Sequence, residues 1–169
     1  MLRTTSAIFV LFALGVALVA QDRSSPISTP ISVCDALHNL ARYRSQVVEI
    51  RGEYVGAELI AGKNCRPLRS GNDEWPTRIM VERADRLADV VNERADFAFD
   101  LEAWENAIQA LVALNRQYRE NAVVYATVVG RLDTRDTLST SPHRNGYGHL
   151  GGYPARLVVK TIRDVSITP

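Results

Sequence analysis

Short stretches in which apolar and polar residues alternate recur along this chain. Between residues 47 and 56, apolar residues alternate with Glu49, Arg51 and Glu53, which is the period-two pattern of a half-buried strand. Gly52 interrupts this strand and predicts a bulge or a sharp bend, as a small barrel would need. Similar patterns predict further strands at residues 57–61, 78–82, 123–132 and 155–159, with residues 161–168 as an edge strand.

Two other segments repeat their apolar residues at helical spacing. The first begins at Ser32, where Ser32 and Asp35 have the spacing of a capping box, and it ends near Tyr43. The second is capped by Asp100 and runs to about Tyr118. Its apolar stripe consists of Leu101, Trp104, Ile108, Leu111 and Val112. Such a stripe predicts that the helix packs on a sheet.

These elements together predict an α+β fold. Its centre is a small OB-like five-stranded β-barrel, preceded by an N-terminal helix, with the long helix inserted between strands 3 and 4. Residues 133–154 form a long connection between the fourth and fifth strands, and Trp75 is expected to pack as a lid on the core.

The chain resembles exported bacterial proteins of unknown function with an OB-like fold. The resemblance is carried by the segments Val-Val-Glu-Ile-Arg-Gly, Val-Val-Gly-Arg-Leu, Gly-Tyr-Gly-His-Leu-Gly-Gly-Tyr-Pro and Leu-Val-Val-Lys-Thr-Ile-Arg-Asp-Val. It extends from about Ser32 to Val165 and implies the OB-like fold, but it implies no activity.

The N-terminus has the features of a signal peptide. Met-Leu-Arg precedes an apolar run from Ala7 to Ala20, which is short for a bilayer span and typical of an export signal. We predict a signal peptide at residues 1–20, a flexible linker at 21–31 and a single domain at 32–169. The alternative is an uncleaved N-terminal anchor. The predicted location is extracytoplasmic, either periplasmic or secreted, with no stable membrane anchor after cleavage.

The charge balance argues against polyanionic partners. The chain has 20 Lys and Arg residues against 19 Asp and Glu residues, and cleavage removes only Arg3 from this balance. The predicted mature protein is therefore neutral, whereas proteins that bind nucleic acid carry a basic surplus or face. We expect no nucleic-acid partner, and the expected partner is an unidentified small molecule or protein.

The two cysteines, Cys34 and Cys65, predict one disulfide in an oxidising compartment. The closed loop of about 30 residues would contribute roughly 3.6 kcal/mol of stability on the chain-entropy model. The alternative is a pair of buried thiols. Since the cysteines lack CxxC spacing, they give only a weak indication of a metal or redox site.

The glycine-rich segment 144–154 is the best candidate for a recognition site. Tyr147 and Tyr153 offer flat faces, His149 can donate, accept or titrate, and Arg144 can pair with an anionic group. We predict these four residues as ligand-binding. The competing interpretation is structural, with glycines that fold the crossing over one barrel end.

No catalytic motif is present, and no cofactor or metal is expected. His143 and His149, with Asp133 and Asp136, do not match a recognised metal-binding spacing. The sequence therefore favours a non-enzymatic extracytoplasmic binding module. One alternative is a small secreted hydrolase that uses His149 with a carboxylate such as Asp133. Another is a structural envelope subunit with an exposed apolar patch.

Overall fold

The computed structural model of the chain describes residues 29–87, 95–118, 123–139 and 145–168. The predicted signal peptide, most of the predicted linker and Arg144 lie outside these ranges. Within them the strands are β1 (Ile31–Ser32), β2 (Val47–Val55), β3 (Glu58–Ile60), β4 (Leu68–Ser70), β5 (Asp73–Trp75), β6 (Arg78–Arg83), β7 (Val123–Thr134) and β8 (Ala155–Thr168). The helices are α1 (Val33–His38), α2 (Leu40–Tyr43) and α3 (Leu101–Tyr118), with 3-10 turns at Ala84–Leu87 and His149–Gly151.

Five strands close into a mixed barrel. Their order around the barrel is β2-β3-β6-β8-β7, and β7 pairs again with β2. The β6–β8 pair is parallel, whereas the other barrel pairs are antiparallel. These are the five strands predicted from the sequence, so the predicted α+β class and five-stranded barrel are confirmed. The arrangement is compatible with an OB-like fold.

The long helix lies where the pattern predicted it, once the barrel strands alone are counted. α3 follows β6, the third barrel strand, and precedes β7, the fourth. Counted among all the strands of the described residues, it lies between the sixth and the seventh, because β1, β4 and β5 are not barrel strands. The side chain of Asp100 accepts a hydrogen bond from the Ala103 backbone amide at 3.0 Å, so the predicted cap is present.

Some elements differ from the prediction. The predicted loop at residues 65–76 contains the β4–β5 hairpin, whose three-residue strands are too short to show an alternating pattern. The predicted N-terminal helix is divided at Asn39 into α1 and α2. Ser32 caps α1 as expected and accepts a hydrogen bond from the Asp35 amide at 3.0 Å.

Of the bulge or sharp bend predicted at Gly52, the bulge is wrong. β2 pairs with β7 from Val47 to Glu53 in continuous register, and this pairing runs through Gly52. The glycine instead allows α1 to approach the sheet, since a Cβ atom at Gly52 would lie 2.4 Å from Cγ2 of Val33. The register shifts lie between β7 and β8, one of them between Val129 and Gly130.

The core lies between the inner faces of the barrel strands and the two helices packed on them. α1 buries Val33, Ala36 and Leu37. On α3, Ala107 and Leu111 are buried, whereas the predicted stripe residues Leu101 and Val112 are exposed. They lie about 80° to 100° from Leu111 around the helix, at the edge of the stripe that faces the barrel. Trp75 is 1% exposed, as expected for a core residue.

Cys34 and Cys65 form a disulfide with a Cα–Cα distance of 5.6 Å, so the predicted pairing is confirmed. Among the described residues, no helix combines the length and the apolar character needed to span a membrane.

Candidate functional site

The crossing from β7 to β8 folds back on itself. The Tyr147 amide donates to the Tyr153 carbonyl at 2.8 Å, and the Tyr153 amide donates to the Tyr147 carbonyl at 3.1 Å. Between them, Gly148 has a φ of 71° and lies against the Tyr153 ring, where a Cβ atom would be 2.8 Å from Cδ2. Only glycine fits this combination of backbone angle and contact. The predicted structural role of the glycines in this segment therefore applies at Gly148.

Tyr153 attaches the crossing to the outer face of the barrel. Its hydroxyl donates a hydrogen bond to Oε1 of Glu58 on β3, and Arg78 of β6 donates to Oε2 of the same carboxylate at 2.9 Å. The hydrogen bond with Glu58, assisted by partial burial, raises the pKa of Tyr153. OB-folds commonly bind their ligands on the face of these two strands. Here part of that face is covered by the chain's own crossing.

Tyr147 lies among arginines. Its side chain is buried, and the guanidinium carbons of Arg135 and Arg156 lie 4.5 Å and 4.9 Å from the centre of its ring. Both distances are within the range of cation–π attraction. The tyrosine ring therefore positions two positive charges on neighbouring segments, one at the end of β7 and one at the start of β8.

Strand register brings Arg131 and Asp133 beside Arg156 on the outer face of the sheet. Asp133 of β7 pairs with Arg156 of β8, and Arg131 lies two residues before Asp133 on the same face. Nε of Arg131 donates to Asp133 at 2.7 Å, and Nη2 of Arg156 donates to the other carboxylate oxygen at 2.8 Å. Arg156 also donates to Glu82 of β6 at 3.3 Å. The bond with Asp133 raises the pKa of Arg131, despite its partial burial.

These side chains line a cleft of about 470 Å³ beside the end of β7. The described lining residues are Ser45, Arg131, Asp133, Thr134, Arg135, Tyr147 and Arg156. Its volume lies in the range of small-ligand sites. With three guanidinium groups and one carboxylate, this lining carries a positive surplus.

The turn after α2 supports the same edge of the cleft. Nε of Arg44 donates to the Thr134 hydroxyl at 3.1 Å, and Nη2 donates to the Arg135 carbonyl at 3.2 Å. Ser45 has a φ of 56°, and its amide donates to the Leu132 carbonyl at 2.8 Å. A non-glycine residue in the left-handed region is a strained feature of the kind found at functional sites.

The structure separates the predicted site residues. Tyr147 lines the cleft, whereas His149 and Tyr153 are not among its described lining residues. His149 is exposed at the tip of the crossing beside Leu150, which is 82% exposed. Arg144 lies outside the described residues. The ligand-binding role of all four stays a prediction.

The hydrolase hypothesis required His149 near a carboxylate such as Asp133. Asp133 instead accepts hydrogen bonds from Arg131 and Arg156. Within the part of the chain that the structure describes, no hydrogen bond joins it to His149. This geometry gives the hydrolase hypothesis no support.

The sequence prediction did not identify the arginines of the cleft. Arg131, Arg135 and Arg156 lie in or beside predicted strands, where a charged residue usually indicates a solvated face. The available signal was the alternation of Arg131 and Asp133 at the end of a strand, together with an arginine at the start of the next strand.

A second depression of about 330 Å³, with a mixed polar and apolar lining, lies between α3 and the β2–β3 turn. Val55 and Val112 line it and are 49% and 44% exposed. This is the kind of exposed apolar surface that the envelope-subunit hypothesis requires. That hypothesis stays a prediction.

Comparison of the chain with protein-family models, curated proteins and solved structures found no match.

Proposed function

We propose that the protein is a non-enzymatic extracytoplasmic binding module that holds a small anionic ligand in the cleft beside the end of β7. The ligand would carry a carboxylate or phosphate group. The observation that carries this proposal is the convergence of Arg131, Arg135 and Arg156 on one cleft of ligand size.

Two of the arginines provide a fixed frame. Arg131 and Arg156 share the Asp133 carboxylate, and Arg156 also bonds to Glu82. Guanidinium groups held in this way lose little side-chain freedom when a ligand arrives, which favours binding. Their fork of N–H donors matches the geometry of carboxylates and phosphates.

The third arginine provides a charge that no carboxylate of the described residues pairs with. Arg135 is exposed, its Nε donates to the Asn145 carbonyl at 3.0 Å, and its guanidinium contacts the Tyr147 ring. Among the described residues, no carboxylate lies within ion-pair distance of Arg135. Its charge is therefore available to an anionic ligand, and the Tyr147 ring holds it at the cleft.

The residue types favour binding over catalysis. The described lining contains three hydroxyl groups, from Ser45, Thr134 and Tyr147, but no histidine or cysteine that would serve as a base or thiol nucleophile. The extracytoplasmic part of the proposal is supported by the Cys34–Cys65 disulfide, which such compartments favour, and by the export signal predicted at residues 1–20.

Titration calorimetry at low ionic strength tests the proposal. The probes are succinate and inorganic phosphate, with neutral succinamide as the control ligand. We expect Arg135→Gln to weaken anion binding about tenfold, since it removes a charge-assisted hydrogen bond. Arg116→Gln is the matched control, because Arg116 is exposed on α3 and does not line the cleft.

Three results would contradict the proposal. One is the absence of binding for both anions, and another is equal affinity in Arg135→Gln and in the unchanged protein. The third is equal binding of succinamide and succinate, which would show that charge is not what the cleft recognises.

A further inference from the structure

We propose a second site: when the Cys34–Cys65 disulfide is reduced, Cys34, Cys65 and His38 form a Zn²⁺ site. Oxidation of the two cysteines back to the disulfide removes this site. The two sulfur atoms and one ring nitrogen of His38 all lie within 4.8 Å of one another. Two thiolates and an imidazole are ligands that zinc prefers in proteins. This site shares no residue with the arginine cleft and does not depend on the function proposed for it.

The ligands are held by the fold as well as by the disulfide. Cys34 and His38 are four residues apart on α1, which places them on the same side of that helix. α1 is fixed by buried Val33, Ala36 and Leu37. Reduction therefore leaves these two ligands in place.

The third ligand comes from a turn with its own hydrogen bonds. The Cys65 amide donates to the Gly62 carbonyl at 2.9 Å, and Ala61 just before this turn donates to the Thr77 carbonyl at 2.9 Å. Backbone bonds of this kind keep Cys65 opposite α1 after the S–S bond is broken.

His38 already has the contact that metal-binding histidines use. Its Nε2 lies 3.0 Å from the Arg66 carbonyl oxygen. Because a carbonyl oxygen only accepts, the neutral ring carries its proton on Nε2 and its lone pair on Nδ1. A backbone carbonyl that fixes the tautomer and orientation of a histidine is the usual outer partner of a zinc ligand.

Small reagents can reach the disulfide and reduce it. His38 is exposed, and both cysteines are partly exposed, so a small dithiol can reach the disulfide. The dithiol gives two electrons and two protons to the S–S bond and becomes a cyclic disulfide, which leaves two protein thiols. Zn²⁺ displaces one proton from each thiol. Two thiolates then neutralise the metal charge, and water completes the tetrahedron.

The test uses the purified protein reduced with a phosphine, which is then removed without air. Co²⁺ is the probe, because its thiolate complexes have a charge-transfer absorption, and Zn²⁺ is then added to displace it. We expect one equivalent to bind to the reduced protein and none to the oxidised protein. His38→Ala should weaken binding by about tenfold or more, whereas Gln109→Ala, a change at an exposed residue of α3 outside the site, should leave it unchanged.

The folded state is monitored in the same samples, because an unfolded chain also binds metals through cysteine. We expect Zn²⁺ to raise the melting temperature of the reduced protein and to raise it less in His38→Ala. The proposal is overturned if the reduced protein binds no Co²⁺, or if His38→Ala binds it as tightly. It is also overturned if the melting temperature of the reduced protein does not respond to Zn²⁺.

Discussion

The backbone of Gly130 on β7 lies directly against the carbonyl group of Val158 on β8. A Cβ atom at Gly130 would lie 2.2 Å from the Val158 oxygen, which is too close for any side chain. The contact is beside a register shift between the two strands, at the point where the barrel sheet must curve.

We expect Gly130→Ala to destabilise the protein by about 1 to 3 kcal/mol, because the two strands must separate to admit the methyl group. Urea denaturation measures this change. Gly62→Ala is the matched control: it adds the same methyl group where no atom lies within 4 Å. Equal stability of the two variants would show that the strands adjust without cost.

Tyr153→Phe should give a difference in stability that depends on pH. The hydrogen bond with Glu58 raises the pKa of Tyr153, so the folded state holds the phenolic proton more tightly than the unfolded state. This contribution is fully present below about pH 10, the ordinary pKa of tyrosine, and is lost as pH rises through the folded pKa.

We therefore expect the loss in free energy of unfolding caused by Tyr153→Phe to be constant at neutral pH and to shrink above about pH 10. It should be less than about 1 kcal/mol, since the hydroxyl is only partly buried. Urea denaturation at several pH values measures it, with Tyr125→Phe on β7 as the control. A difference that does not change with pH would contradict the assigned bond.

Arg163→Ala should be more destabilising than its exposure suggests. Arg163 is 49% exposed, but it donates to Glu49, whose side chain is only 3% exposed. Removal of the arginine leaves a buried carboxylate unpaired. We expect a loss of about 1 to 3 kcal/mol, below the cost for a fully buried pair, because water enters the space.

The double variant Glu49→Gln/Arg163→Ala separates the effect of the unpaired Glu49 charge from the effect of removing the arginine side chain itself. If the unpaired charge is responsible, the double variant should be more stable than Arg163→Ala alone. Arg116→Ala on α3 serves as the exposed control. The expectation fails if Arg163→Ala and Arg116→Ala have the same melting temperature.

Cys34→Ser/Cys65→Ser should lower the free energy of unfolding by about 3 to 4 kcal/mol, because the unfolded chain is no longer cross-linked over a separation of 31 residues. Urea denaturation of the double variant, of the reduced protein and of the oxidised protein measures this loss. A double variant as stable as the oxidised protein would contradict it.

The barrel strands and α3 could be predicted because their signals are local. Alternation marks β2 and β7, and Asp100 marks the start of α3. The arginine cleft could not be predicted in this way. Asp133 and Arg156 meet because β7 and β8 pair in one register, and that register is set by the closed barrel.

The contacts of the crossing from β7 to β8 could not be predicted from the sequence either. Residue types pointed to Tyr147 and Tyr153 as ligand-binding residues, a role that stays a prediction. They could not show that Tyr147 lies beside Arg156 while Tyr153 reaches Glu58, which is 95 residues earlier in the chain. Contacts of this length depend on the tertiary fold.

The position of β8 also sets an order of events during synthesis. This strand lies between β6 and β7, and its hydrogen bonds join the two halves of the barrel. A chain that emerges N-terminus first can form the β2–β3–β6 sheet and add β7 to β2, but it cannot close the ring until residues 155–168 have followed. Until then β6 and β7 each present an open edge, which is the kind of feature that favours wrong pairing.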